Sequence, residues 1–337
     1  MDAWPDAARI PLVLTRSDVR ALLDMDDCIA AVEDAFRAQA AGGTLPSGVL
    51  GTHVPGGGFH VKTAGLLLRG CAYFCAKINA NFPQNPSERG LPTIQGVISL
   101  HDGSNGVLLA LLDSAEITAM RTAAATAVAA RYLARSDAGT VTIVGCGTQG
   151  RGQLLALSRV RPVRHVYAFD VDPAAASAYA DAMTDALDCT VEAVADYRAA
   201  ARRSDMVVTC TPSRSPLLSE ADVSPGVFVA AVGSDSESKQ ELEPAMLATS
   251  TLVVDVLEQC ATIGELHHAL AAGLLRREDV HAELADVVGG RRPGRTSPDE
   301  VIVFDSTGTA LEDVAAASLV YERARSRHMG HAVQLDL

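Results

Sequence analysis

The segment Gly145-Cys146-Gly147-Thr148-Gln149-Gly150 follows an apolar run at 141–144 and opens a helical pattern over 151–159. That placement leaves few folds. The first glycine permits a tight strand-to-helix turn, the second lets a phosphate-bearing ligand approach the backbone, and the third lets the helix pack closely on the strand. The helix start adds unbonded amides and a positive dipole end, where two phosphates would sit. Asp170 then ends the next apolar run, 166–169, where a carboxylate would accept both hydroxyls of a ribose. A plain structural turn would also carry glycines, but the strand, the helix and the acid together point to a bound dinucleotide. Asp170 repels a ribose 2′-phosphate, and Val171 and Asp172 follow it in place of a basic residue, so NAD is expected over NADP.

From residue 140 onward, apolar runs at 206–211, 227–232, 252–256 and 301–304 alternate with helical stretches such as 174–187. Such alternation implies right-handed crossovers and a parallel sheet. The fold class is therefore α/β, a Rossmann-type doubly wound parallel sheet. Ahead of it the pattern differs. Residues 17–41 read as one helix, with Val19, Leu22, Leu23, Met25, Ile29, Val32 and Phe36 near period 3.6 and Gly42-Gly43 as the stop. Short runs at 58–64, 71–79, 93–100 and 107–112 read as four or more antiparallel strands, giving a smaller α+β domain. Asp113 and Glu116 form a capping-box-like pair before an Ala-rich helix to about residue 134, with Glu116 reaching back to the backbone. A last helix over 309–325 returns to the first domain. The expected division is 1–113 with 310–337 in one domain and 114–309 in the dinucleotide-binding domain.

A net charge of −13 sets a repelling field against nucleic acid and anionic membranes, so neither is an expected partner. Residues 1–6 show no basic and apolar leader pattern, and no run of about 18 apolar residues occurs. Seven cysteines, an odd number in mostly apolar segments, read as reduced thiols, so a cytoplasmic location is expected.

Several residues carry chemistry. His60 and Lys62 share one face of a strand, and Tyr73, Cys75, Lys77 and Asn79 share a face of another. Burying an unpaired ammonium is expensive, so these lysines mark either an edge strand facing water or a site. Arg121 lies inside a helix whose next seven residues carry no charge, which suits a surface arginine or a carboxylate clamp. Asp235, in Gly233-Ser234-Asp235, follows a sheet strand at the edge where such sheets bind ligands; it is a proton-handling carboxylate or a turn former. Thr211 ends another such strand. Glu265-Leu266-His267-His268 reads as a solvated helix surface, and Arg291-Arg292-Pro293-Gly294-Arg295 as a solvated basic turn. Cys71 and Cys75 lack a second ligand pair, and no metal is assigned.

Taken together, Ala76-Lys77-Ile78-Asn79, Gly90-Leu91-Pro92-Thr93, Met120-Arg121-Thr122-Ala123-Ala124, the glycine loop, Val232-Gly233-Ser234-Asp235, and Phe304-Asp305-Ser306-Thr307-Gly308 with Glu312-Asp313 resemble the ornithine cyclodeaminase and mu-crystallin family. The resemblance runs from about Phe59 to Asp313. It implies that Lys77 and Arg121 bind an amino-acid carboxylate beside the nicotinamide and that Asp235 handles a proton. Thr93 and Ser306 would lie near the cofactor, as would Thr148, Gln149 and Thr211 with the three glycines. The resemblance also implies that the first domain binds substrate and forms a homodimer.

Two departures bear on the substrate. Family members carry an arginine just after a proline in the first strand, but Leu45-Pro46-Ser47-Gly48 has none. Where ornithine cyclodeaminase places a glutamate for the distal amine, this chain has Lys62. Lys62 is therefore expected to take the missing arginine's part, favouring a small neutral or acidic amino or imino acid. The implied chemistry is hydride transfer between NAD and Cα, as a lyase-type cyclodeamination or as a reductase or dehydrogenase. A non-catalytic, crystallin-like protein that binds NAD(H) and a ligand is the alternative.

Overall fold

The structure is a computed structural model that describes residues 10–335; the reading at residues 1–6 lies outside them. It forms two compact units, residues 1–121 with 309–337, and residues 122–308. The division falls inside the helix Ser114–Leu133, at Arg121, eight residues beyond the 113/114 boundary drawn from the sequence.

The first unit is built on seven strands in the order His331–Ala332, Leu12–Leu14, Leu108–Asp113, Ile94–Asp102, Cys71–Asn81, Gly57–Leu68 and Thr44–Val54. All pairs are antiparallel except Leu12–Leu14 with Leu108–Asp113. One face packs on the helices Met25–Ala40 and Ala310–Arg327. Its rows are apolar where those helices lie, with Ala64, Leu66, Cys75, Ile98, Leu100 and Leu112 fully buried. The other face carries a second apolar row, Leu50–Val61–Ile78–Val97, across four strands. Leu50 there is 62% exposed and Ile78 45%.

Two local expectations are corrected. The helix read over 17–41 is two helices, Arg16–Leu22 and Met25–Ala40. Leu23 is extended between them, and the Asp24 side chain accepts from the Asp27 amide at 2.9 Å, capping a new helix where the periodicity ran on. Asp113 does accept from the amides of Ala115 and Glu116, but Glu116 does not reach back; its carboxylate accepts from Arg20 Nε at 2.8 Å. A guanidinium is a stronger partner than a backbone amide.

The second unit holds eight parallel strands in the order Ala282–Glu283, Thr251–Val254, Ile302–Asp305, Phe228–Ala231, Met206–Thr209, Thr140–Val144, His165–Phe169 and Thr190–Ala193. The strand order reverses between Thr140–Val144 and Met206–Thr209, the place where doubly wound sheets bind ligands. Arg295 is not the solvated turn residue expected. Its Nε donates to Leu133 O at 2.7 Å, while Arg161 Nη2 donates to Ala130 O at 2.6 Å. The two guanidinium groups close the end of the helix Ser114–Leu133, whose last carbonyls have no partner within the helix. No helix among the described residues is long and apolar enough to cross a membrane.

Candidate functional site

In the first unit, strand register decides the chemistry. Lys62 pairs directly with Lys77, and Lys77 with Ile98, so both lysines stand in one row on the helix-covered face. Neither lies on an edge strand. Lys62 is 8% exposed and Lys77 3%. Like charges opposite each other on neighbouring strands are destabilising, so the row needs anions. The helix Ala310–Arg327 supplies them from its first turn, where Thr309 and Glu312 form a capping box. Asp313 Oδ2 lies 2.5 Å from Lys77 Nζ. Arg121 Nε donates to Asp313 Oδ1 at 3.0 Å and its Nη1 to Glu312 Oε2 at 2.8 Å. Arg121 is therefore neither exposed nor unpaired; its partners lie 191 and 192 residues away in sequence.

The cluster holds three cations, Lys62, Lys77 and Arg121, against two carboxylates. Burial, reinforced by Arg121, pulls the Lys77 ammonium down to about 8, against the opposing pull of Asp313. Burial pushes Asp313 up, but Lys77 and Arg121 outweigh it and hold that carboxyl below its ordinary value. Burial also lowers Arg121, yet Asp313 and Glu312 outweigh that and keep its guanidinium above the ordinary value. Removing one member of such a buried set leaves an uncompensated charge, at a cost of about 3–5 kcal/mol. Thr93 also lies in this unit, just before the strand Ile94–Asp102, with its carbonyl accepting from the Phe82 amide.

In the second unit, the remaining expected residues stand at the carboxyl ends of parallel strands. Gly145 has φ +108°, and a Cβ there would come within 2.9 Å of Cys210 O. A Cβ on Gly150 would lie 2.2 Å from Gly145 O, so the helix Thr148–Ser158 meets the strand only because that atom is missing. At Gly147 a Cβ would meet nothing within 4 Å. That open side, with the uncapped amides of Thr148, Gln149 and Gly150, fits an approaching pyrophosphate. Tyr179 Oη donates to Gly150 O at 2.9 Å and anchors the helix. Asp170 accepts from the amides of Cys146 and Asp172 at 2.8 and 3.1 Å. A carboxylate has about four acceptor sites, so two remain for ribose hydroxyls. Asp235 follows the strand Phe228–Ala231, with Lys239 Nζ 2.6 Å from its Oδ1. Thr211 and Ser306 follow their own strands at the same edge.

This edge contains acids that periodicity alone did not single out. Glu265, expected on a solvated surface, is buried. It accepts from the amides of Glu241 and Leu242 at 2.8 and 3.0 Å. Asp305 accepts from the Leu266 amide at 2.9 Å, and Asp255 from the Gly308 amide at 2.7 Å. The helix Glu265–Ala271 begins against the sheet, so its first turn is interior although its sequence is polar. Within Glu265-Leu266-His267-His268, the two histidines are partly exposed and the other two residues are buried.

Burial, with Asp305 nearby, raises Glu265 to about 9, and burial with Asp255 nearby raises Asp305 to about 7. Both bind protons more tightly folded than unfolded, so their contribution to stability is full below their ordinary values of 4.5 and 3.8 and is lost as pH rises through about 7 and about 9. Urea unfolding at pH 5, 7 and 9 is expected to show declining stability, with Glu265→Gln flattening the decline; equal slopes in both proteins would contradict this.

The chain matches the ornithine cyclodeaminase/mu-crystallin family over residues 9–328. The alanine dehydrogenase of Archaeoglobus fulgidus is 37% identical over 324 residues, 96% of this chain and 98% of that protein. The iminosuccinate reductase of Paracoccus denitrificans is 37% identical over 261 residues, 77% of this chain and 79% of that protein. Among solved structures, an archaeal alanine dehydrogenase dimer with bound NAD gives a TM-score of 0.92 at 36% identity, covering 97% of this chain and 99% of that one. With the lysine and arginine cluster, the glycine loop and these likenesses together, the chain belongs to the ornithine cyclodeaminase/mu-crystallin family.

Proposed function

We propose that this chain is an NAD(H)-dependent oxidoreductase acting at Cα of a small amino or imino acid. The observation that carries the reading is the buried, ion-paired set at Lys62, Lys77, Arg121, Glu312 and Asp313, which gathers three cationic side chains at one place in the first unit. It supports a role for the first unit in holding the substrate carboxylate. Arg121 and Lys77, fixed by Asp313, present donors without needing to reorganise, which favours one substrate orientation. With a pKa near 8, Lys77 also holds or releases a proton close to neutral pH. Asp235 accepts or returns a proton at the substrate nitrogen, steadied by Lys239.

The second unit binds the cofactor. Gly145, Gly147, Gly150, Thr148 and Gln149 receive the pyrophosphate, Asp170 the adenosine ribose, and Thr211 and Ser306 contribute at the same sheet edge. When bound, NAD supplies or accepts the hydride exchanged with Cα. The archaeal alanine dehydrogenase likeness carries bound NAD, which supports NAD over NADP together with the carboxylate of Asp170.

Lys62 sets the substrate class. A second ammonium opposite Lys77 repels a diamino acid and favours a neutral or acidic one. The named relatives at 37% identity, an alanine dehydrogenase and an iminosuccinate reductase, are consistent with that. NADH oxidation with cyclic imines, or with 2-oxo acids plus ammonia, is the direct assay, and mass spectrometry of products detects a redox-neutral cyclisation. Turnover of a neutral or acidic substrate is expected, with Lys62→Ala lowering kcat/KM by about 10- to 100-fold through a lost charge-assisted bond. Efficient conversion of ornithine to proline by the unsubstituted protein would overturn the substrate class.

The exposed row Leu50–Val61–Ile78–Val97 supports a homodimer through the antiparallel sheet. Light scattering is expected to give twice the chain mass, and Ile78→Lys half of that; a monomer before substitution would contradict the dimer.

A further inference from the structure

Glu241 belongs to neither ligand set, yet it is fully buried at the ligand-binding edge of the parallel sheet. Its carboxylate accepts from neutral donors. Oε1 takes the Thr211 amide at 2.6 Å and the Thr211 hydroxyl at 2.8 Å, and Oε2 takes the Gly233 amide at 2.9 Å. These donors follow two neighbouring strands, Met206–Thr209 and Phe228–Ala231. One side chain thus ties together the exits of both.

The seat is built on both sides. A Cβ on Gly233 would lie 2.4 Å from Thr211 O and 2.5 Å from Glu241 Cδ, so only glycine leaves room for the carboxyl group. The backbone of Glu241 is held in turn, its amide donating to Glu265 Oε1 at 2.8 Å. Between Gly233 and Glu241 the loop closes on itself, with Ser234 Oγ donating to Lys239 O at 2.9 Å and Lys239 Nζ reaching Asp235 at 2.6 Å. Burial pushes the Glu241 carboxyl above its ordinary value, while the Thr211 and Gly233 donors pull against that. Removing a charge from water without a cation beside it is expensive. A hydrophobic residue would join the two strands at lower cost but could not fix two amides at once.

We propose that Glu241 is a positioning residue, whose carboxylate fixes the Thr211 and Gly233 amides so that the loop presents Asp235 in a single conformation. It touches neither substrate nor cofactor. The inference rests on the reading of Asp235 as the proton-handling group.

Glu241→Gln tests it with little change of shape. A glutamine has one acceptor oxygen in place of two, so its amide group faces either Thr211 N or Gly233 N, donor against donor. Hydrogen exchange followed by mass spectrometry is expected to show about 10- to 100-fold faster exchange at Thr211 and over 233–239, the loss of one charge-assisted bond, with the strand Thr140–Val144 unchanged. kcat is expected to fall about 10- to 100-fold with the substrate KM within about twofold, because transition-state geometry is lost and ground-state binding is kept. In an Asp235→Asn background the same substitution is expected to cause little further loss, since the two residues act as one unit. If Glu241→Gln does not fold, Thr211→Val removes one of the three donors and is expected to show the same exchange pattern in smaller degree. Unchanged exchange over 233–239 in the folded variant, or losses that multiply with Asp235→Asn, would overturn the proposal. The exchange result decides this point even for a protein that turns over no amino or imino acid, an outcome that would count against the functional reading alone.

Discussion

Two lysines facing each other across neighbouring strands, both out of water, are the constraint on which the first unit depends. Neither charge is tolerable alone at that depth, and together they repel. The unit answers with a helix that begins at the lysine row and places Glu312 and Asp313 in its first turn, with Arg121 joining from a second helix. Buried ion pairs seldom stabilise more than an apolar core of the same shape, so a set of this size is an expensive brace. Buried charged groups that perturb one another in this way mark a candidate functional site.

The second unit solves a different problem. Parallel strands end on one edge with amides and carbonyls that have no neighbour, and this chain meets many of those amides with buried acidic side chains. Glu241, Glu265, Asp305 and Asp255 each accept from backbone amides of loops at that edge. At Glu241 and Glu265 the two oxygens serve two amides, which ties one segment to the next. The glycine loop follows this scheme only in part: its Cys146 amide donates to Asp170, while Gly147 keeps its outward side open.

Much of this was legible in the sequence, for physical reasons that also mark the limit. The alternation of apolar runs and helices, the three glycines and Asp170 are local patterns, and the parallel sheet and its ligand edge follow from them. Lys62 and Lys77 were each visible as lysines in apolar strands, but that they face each other depends on register, which spacing within one strand does not contain. Arg121 seemed to lack a partner because its carboxylates lie 191 and 192 residues away. The break at Leu23-Asp24 was hidden because the apolar periodicity runs straight through the cap, although Asp24 with Asp27 three residues on is a helix-start signal. Glu265 was read as part of a solvated surface and Glu241 was not singled out; their one local clue is that each is followed directly by a leucine, Leu242 and Leu266, both fully buried.

The central claim is that the buried cation cluster receives a carboxylate. Pyruvate, a simple 2-oxo acid with no group titrating near pH 8.5, tests it most directly by calorimetric titration of the NAD-loaded protein in two buffers of different ionisation enthalpy. Lys77, lowered to about 8 in the free protein, is largely uncharged at that pH, and an anion beside it would raise its affinity for a proton. Binding with uptake of a proton, lost in Lys77→Met, is the expected result. Binding with no proton uptake, or no binding at millimolar pyruvate, would contradict the assignment of the cluster to the substrate carboxylate.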